Sequence, residues 1–192
     1  MTTRLTRGAE GLERRAFSYE EVQAMLAAGV LDWDEKFELI DGEIVPMNAQ
    51  NMPHMLWKAR LNRWFVEHFP RQFVLVPEGT LRLRDEKPAI AFATDLLIFE
   101  PEPGAKAIRP AMVRLAIEVA DTSVGRDRDV KAPLYAKYGV AELWIVDVAA
   151  RRVWTGQVPQ PQGYGRIQNT AFSEPVAPLF APELAVRLQD LE

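Results

Sequence analysis

Several charged side chains stand where the surrounding pattern is apolar. Glu118 lies near the middle of Arg114-Leu-Ala-Ile-Glu-Val-Ala120, a run otherwise suited to a buried strand. Side chains on a strand alternate between faces, so Leu115, Ile117 and Val119 share one face and Ala116, Glu118 and Ala120 the other. The small alanines leave room beside the carboxylate. Asp95 is set similarly in Thr94-Asp-Leu-Leu-Ile-Phe99, pointing with Leu97 and Phe99 while Thr94, Leu96 and Ile98 share the opposite face. Beyond the Glu118 strand, Lys131, Leu134, Tyr135 and Tyr138 recur at i, i+3, i+4 and i+7, which puts the lysine on the apolar stripe of a helix. Carboxylates and lysines are rarely buried without partners, because an uncompensated charge is strongly disfavoured there.

Two inward carboxylates on neighbouring strands repel and resist desolvation. A divalent cation resolves both problems: Mg²⁺ takes oxygen ligands and is commonly held by one or two carboxylates with water and substrate phosphate. A nearby lysine can orient a water or stabilise charge developing on a phosphate. Taken singly, each residue has a plain structural reading. Asp95 would be a strand-edge residue, Glu118 a solvated side chain and Lys131 an apolar stem with its amine in water. Their coincidence in one strand–helix unit favours a site.

The elements that must position these groups are legible in outline. Ser18 and Glu21 fit a capping box, opening a helix to about Ala28 with Gly29 as its stop. Phe37 to Val45 reads as two apolar runs around Asp41-Gly42, a hairpin signal. Trp57, Leu61, Trp64 and Phe65 mark one stripe of a helix from about Pro53 to Phe69. Short strands are expected at Phe73 to Val76, Gly79 to Leu83 and Thr94 to Phe99, followed by a loop rich in proline and glycine from Pro101 to Pro110. Leu115 to Ala120, a helix from Asp129 to Tyr138 and the strand Glu142 to Asp147 form a strand–helix–strand unit, expected to be a right-handed parallel crossover. Pro133 is tolerated only near that helix's first turn. Arg151 to Thr155 reads as a hairpin partner, and short strands and loops are expected from Pro159 onward. The fold class is therefore α/β, with a mixed central sheet flanked by helices and an N-terminal helix and hairpin.

Bulk composition narrows the function classes. The chain has 192 residues, 48% hydrophobic and 26% charged, ordinary for one globular domain. The expected organisation is a flexible leader over residues 1–16 and a single domain over residues 17–192. With no cysteine, cysteine-ligated zinc and iron–sulfur sites are excluded, and a reducing, cytoplasmic location is weakly favoured. No run approaches the roughly 18 to 20 apolar residues that span a bilayer, so no membrane partner is expected. A net charge of −4 argues against coating nucleic acid by charge alone, while leaving room for an enzyme with a local basic groove.

The residues above also carry a resemblance. Phe-Glu38-Leu-Ile-Asp-Gly-Glu-Ile, His54 before a helix, Asp95 in a strand, Ile-Glu118-Val-Ala-Asp-Thr-Ser, then Asp127, Lys131 and Tyr135, and Gly-Val-Ala-Glu-Leu-Trp-Ile-Val-Asp147 resemble in order the Uma-two family. These are bacterial, restriction-endonuclease-like proteins of the PD-(D/E)xK nuclease superfamily. The resemblance covers about residues 17 to 158. It implies a Mg²⁺- or Mn²⁺-dependent nuclease cutting phosphodiesters of nucleic acid, DNA favoured. Asp95 and Glu118 would be metal ligands, Glu38 a further acidic catalytic residue, and Lys131 the catalytic lysine. His54 would be an accessory that contacts phosphate or shuttles a proton, and Asp127 one that caps the helix or orients Lys131. Many nucleases of this superfamily act as dimers, so a homodimer is a candidate assembly. Thr94 precedes Asp95 where the superfamily has proline, and Ala120 stands two residues after Glu118 where it has lysine. The family carries that lysine on the following helix, so catalysis requires Lys131 to reach the same space. The rival reading is a non-catalytic nucleic-acid-binding or assembly module that keeps the nuclease fold, since fold alone does not establish activity. A small-molecule phosphoesterase using the same metal is a third.

Overall fold

The computed structural model describes residues 5–7, 13–47 and 49–192. The expected leader thus lies in part outside the described residues. Its described parts form an antiparallel pair, β1 (Leu5–Arg7) and β2 (Glu13–Arg15). The chain divides into two compact units, residues 1–49 with 80–93, and residues 50–79 with 94–192.

In the first unit, α1 (Tyr19–Ala27) begins at a complete capping box. Glu21 N–H donates to Ser18 Oγ at 3.1 Å, and Ser18 N–H donates to Glu21 Oε2 at 2.9 Å. Gly29, at φ +68°, ends the helix region as its lack of a Cβ allows. Strands β3 (Phe37–Ile40) and β4 (Glu43–Pro46) pair across Asp41-Gly42, both in the left-handed region at φ 48° and 77°. Two such residues make the turn whose twist matches a hairpin. Val22, Leu39, Ala89 and Ala91 form the core of this unit.

In the second unit, α2 (Met52–His68) is capped by Asn51 and buries Trp57, Leu61 and Phe65, the stripe expected from their spacing. Strands β5 (Val74–Arg84) and β6 (Ile90–Phe99) run through both units and pair with each other. β5 is one strand where two short ones were expected. Gly79 reads as a break in sequence, but a Cβ there would lie 3.0 Å from Leu97 Cδ1, so the glycine permits close approach inside a continuous strand.

From β6 the order is β7 (Val113–Ala120), antiparallel to it, then β8 (Glu142–Asp147), parallel to β7 with Glu118 opposite Ile145. The expected parallel crossover is present, and the sheet is mixed but mostly antiparallel. β9 (Arg152–Gln160) is the expected hairpin partner of β8 but runs on past Thr155, and β10 (Gly163–Ala171) pairs with it as a second hairpin where short strands and loops were expected. Pro159 is tolerated because pairing of β8 with β9 stops at Gln157, so no β8 acceptor is left wanting its missing N–H.

The crossover helix differs most from expectation. It starts as α3 (Val124–Arg126), opens into a single π turn over Asp127–Lys131, and continues as α4 (Ala132–Lys137). The wide turn places Pro133 within the first two positions of α4, where a missing N–H and a fixed φ do no harm. One face of the sheet supplies Leu96, Ile98, Ile117, Val119 and Trp144 to a core that also holds Trp57, Leu61 and Phe65 from α2. Glu142 is fully buried and accepts from Trp144 Nε1, Gln157 Nε2 and the Leu179 backbone, which ties the C-terminal segment to β8 and β9. Burial pushes its carboxyl above the ordinary range.

The cap of α1 yields a pH signature. Hydrogen bonds from Lys87 and the Ser18 backbone hold Glu21 down at about 2. Because the folded value lies below the unfolded one, the contribution is complete above the ordinary glutamate range and is lost as pH falls through it. Urea unfolding from about pH 5 to pH 2 should show stability falling, and Glu21→Gln should remove part of that slope. Ser18→Ala should cost about 1 kcal/mol at neutral pH.

Candidate active site

The site is built from the end of the β6–β7 ladder. That ladder runs from Leu96 opposite Ile117 outward, and just beyond it the Val119 N–H donates to Asp95 Oδ2 at 2.8 Å. A side-chain carboxylate thus takes up a strand amide, which holds Asp95 in place. His54 Nε2, from the first turn of α2, lies 3.0 Å from the same oxygen. Asn51 fixes that turn twice. Its Oδ1 accepts from His54 N at 3.0 Å, and its Nδ2 donates to Asp121 Oδ2 at 2.5 Å, just past the end of β7.

Glu118 meets the crossover helix. Lys131 Nζ lies 2.6 Å from Glu118 Oε1, and Tyr135 Oη donates to that oxygen at 2.5 Å. Tyr135 Oη is also 2.7 Å from Thr94 Oγ1. Glu118 and Lys131 are only 4% and 2% exposed, so this is a buried ion pair and neither is a solvated surface charge. The reach expected of Lys131 is present: its amine stands beside Glu118 although Ala120 occupies the strand position. Asp127 lies one turn before Lys131, with Oδ1 at 3.9 Å from the ammonium and Oδ2 accepting from Ser123 Oγ at 2.6 Å. It therefore closes the loop onto the helix start and adds a second negative charge near Lys131.

Glu38 is buried in β3 of the first unit. Trp144 is a core residue, donating to Glu142, and Asp147 accepts from Ala150 N in the turn after β8. Several polar neighbours had no reading as site residues. Thr94, expected on the Leu96 face, reaches Tyr135 instead. Tyr135, four residues after Lys131 on the same apolar stripe, is buried and also reaches Glu118. Lys58 Nζ donates to Gln50 Oε1 at 2.6 Å and Glu78 Oε1 at 2.5 Å, and Gln50 Nε2 points to Asp95 Oδ1 at 3.5 Å. Gln50 and Asn51 carry no periodicity signal, since they precede the helix.

Asp95 and Glu118 offer hard oxygen donors of the kind Mg²⁺ and Mn²⁺ take. Among the described residues no three of His, Cys, Asp and Glu stand together as a ready cage. Such donors fit a cation that keeps water and substrate oxygens in its remaining positions, the usual habit of Mg²⁺.

The family model described as "Uma2: Putative restriction endonuclease" matches residues 19–189. The chain belongs to this family. The Uma2 match spans Glu38, His54, Asp95, Glu118, Asp127 and Lys131 alike. Among solved structures the chain is similar to one titled a "putative nuclease belonging to DUF820" from Anabaena variabilis. The TM-score is 0.68 at 17% identity, covering 91% of this chain and 97% of that one. At that identity the likeness shows the fold, which is restriction-endonuclease-like. No curated protein matches the chain. Among the described residues no helix is long and apolar enough to cross a membrane.

The buried pair makes a stability prediction for this Uma2 family member. Lys131→Met strands the Glu118 charge and should cost about 3–5 kcal/mol in urea unfolding, whereas Lys131→Met with Glu118→Gln should recover much of it. Tyr135→Phe should cost about 1–3 kcal/mol, because it removes one hydroxyl from a buried hydrogen-bonded chain. Equal stability of the single and double Lys131 variants would show that the pair carries no such coupling.

Proposed function

We propose that the chain is a divalent-cation-dependent nuclease that hydrolyses phosphodiester bonds of nucleic acid, with DNA the favoured substrate. The observation that carries this reading is Lys131 reaching Glu118 at 2.6 Å from the following helix, with Asp95 held at the facing end of the neighbouring strand. Membership of a family described as a restriction endonuclease supports it.

In this reading Asp95 and Glu118 hold Mg²⁺ or Mn²⁺. When bound, the cation offsets phosphate charge and makes a water more acidic. Lys131 positions the attacking water and stabilises charge developing on the phosphate. Asp127, with Oδ1 3.9 Å from the ammonium, helps to orient Lys131. Tyr135 Oη donates to the same Glu118 oxygen and is itself engaged by Thr94 Oγ1, so the carboxylate keeps a second partner when the ammonium turns to substrate. Glu38 is the further acidic residue, supporting the cation or a second one. The net charge of −4 fits an enzyme that holds nucleic acid through a local contact and not through bulk charge. A homodimer is the assembly proposed with this reading.

The test is cleavage of single- and double-stranded DNA and RNA in Mg²⁺ and Mn²⁺. Asp95→Ala and Lys131→Ala should each lower cleavage by at least about a hundredfold, the scale of one removed transition-state contact. Equal cleavage by all three proteins would refute the assignment. The second reading, a non-catalytic module that keeps the fold, is favoured by one feature: Glu118 is already engaged by Lys131 and Tyr135. Under the nuclease reading Mn²⁺ should raise the melting temperature and Asp95→Ala should abolish the rise; no rise would favour the module.

A further inference from the structure

We infer that Lys58 grips a backbone phosphate of the bound nucleic acid beside the one that is cut, and that Glu78 is the counter-ion it releases to do so. This rests on the nuclease reading above for the class of substrate. It deepens that reading by naming a substrate-binding residue that the cation chemistry does not require.

Position is the first support. Lys58 stands one turn after His54 on α2, Gln50 just before that helix, and Glu78 on β5; with Asp95, all lie in the second unit. Lys58 Nζ donates to Gln50 Oε1 at 2.6 Å, and Gln50 Nε2 is 3.5 Å from Asp95 Oδ1. The ammonium is therefore one amide group away from the carboxylate proposed to hold the cation. A nucleic-acid strand carries a negative charge at every nucleotide. A strand whose scissile phosphate meets that cation brings a neighbouring phosphate past this place.

The ion pair itself is asymmetric. Lys58 Nζ donates to Glu78 Oε1 at 2.5 Å, yet the Lys58 side chain is 14% exposed and that of Glu78 45%. The lysine stem is packed and its head is fixed by Gln50, whereas the glutamate stands largely in water. Ion pairs with such an exposed partner are weak, and a phosphate oxygen is a strong acceptor for the same ammonium. Exchanging carboxylate for phosphate keeps Lys58 partnered and returns Glu78 to water.

The backbone at Glu78 points the same way. Its φ is 53°, the left-handed region, inside strand β5. That is uncommon for a residue with a Cβ and persists only where the surroundings enforce it, which is frequent at ligand sites. Gly79, closely approached by Leu97, supplies that constraint. With a net charge of −4, the chain must hold nucleic acid through a few local cations.

The experiment is fluorescence anisotropy of the full chain with fluorescein-labelled DNA duplexes of two unrelated sequences and a matching RNA. It is run in EDTA, so that no strand is cut, across a salt series. Lys58→Met should weaken binding about tenfold at 0.1 M salt whatever the sequence, and lower the slope of log affinity against log salt by about 1, the release of one counterion. Glu78→Gln should tighten binding several-fold. That gain should vanish in the double variant, because only a released Lys58 can use it. An unchanged salt slope in Lys58→Met overturns the inference. So does Glu78→Gln without tighter binding, or a gain that persists without Lys58. Should Lys58→Met fail to fold in a thermal melt, Glu78→Gln decides alone. Cleavage in Mg²⁺ separates this inference from the reading beneath it. No cleavage with the slope change intact refutes the nuclease and leaves the phosphate contact standing; cleavage with an unchanged slope does the reverse.

Discussion

An ammonium and a carboxylate meet in the interior of the second unit, Lys131 against Glu118, with almost no water on either. Removing two charges from water is costly, and their attraction offsets that cost only when geometry is tight and the remaining polar atoms are partnered. The surrounding elements serve those conditions. Tyr135 gives the carboxylate a second donor, Thr94 engages the tyrosine, and Asp127 stands behind the ammonium. A strand from the sheet and a helix from the crossover are thereby locked at one point.

The π turn at Asp127–Lys131 follows from the same constraint. The helix must carry Lys131 towards β7, accept Pro133 two residues later, and still bury Tyr135. One wide turn meets all three demands, because it restarts the helix where proline is harmless. π turns concentrate at functional sites in many proteins, and here the turn holds the lysine that the strand lacks at Ala120.

The acidic side of the site is built differently. Asp95 is held by a backbone amide of the neighbouring strand and faces a histidine on a capped helix start. Lys58, Gln50 and Glu78 extend a polar chain away from it. Two carboxylates on adjacent strands thus have distinct environments: one paired with an ammonium, the other with an amide and an imidazole. That asymmetry is what the proposed division of labour uses, Lys131 acting from one side and the cation-binding groups from the other.

The sequence by itself determined the parts whose signals are local. Ser18 with Glu21, Asp41-Gly42, the Trp57–Leu61–Phe65 stripe and the Glu118 strand followed by a helix are all readable because their causes lie within a few residues. It also singled out Asp95, Glu118 and Lys131, since a charge in an apolar pattern needs no partner to be noticed. What those charges meet was decided only by tertiary structure. Whether Lys131 reaches Glu118 depends on a π turn that no periodicity announces. That Asp95 takes a strand amide depends on where the β6–β7 ladder ends. Pairing, register and helix phase are set by contacts between residues distant in the chain, and their energies enter only once the sheet has formed.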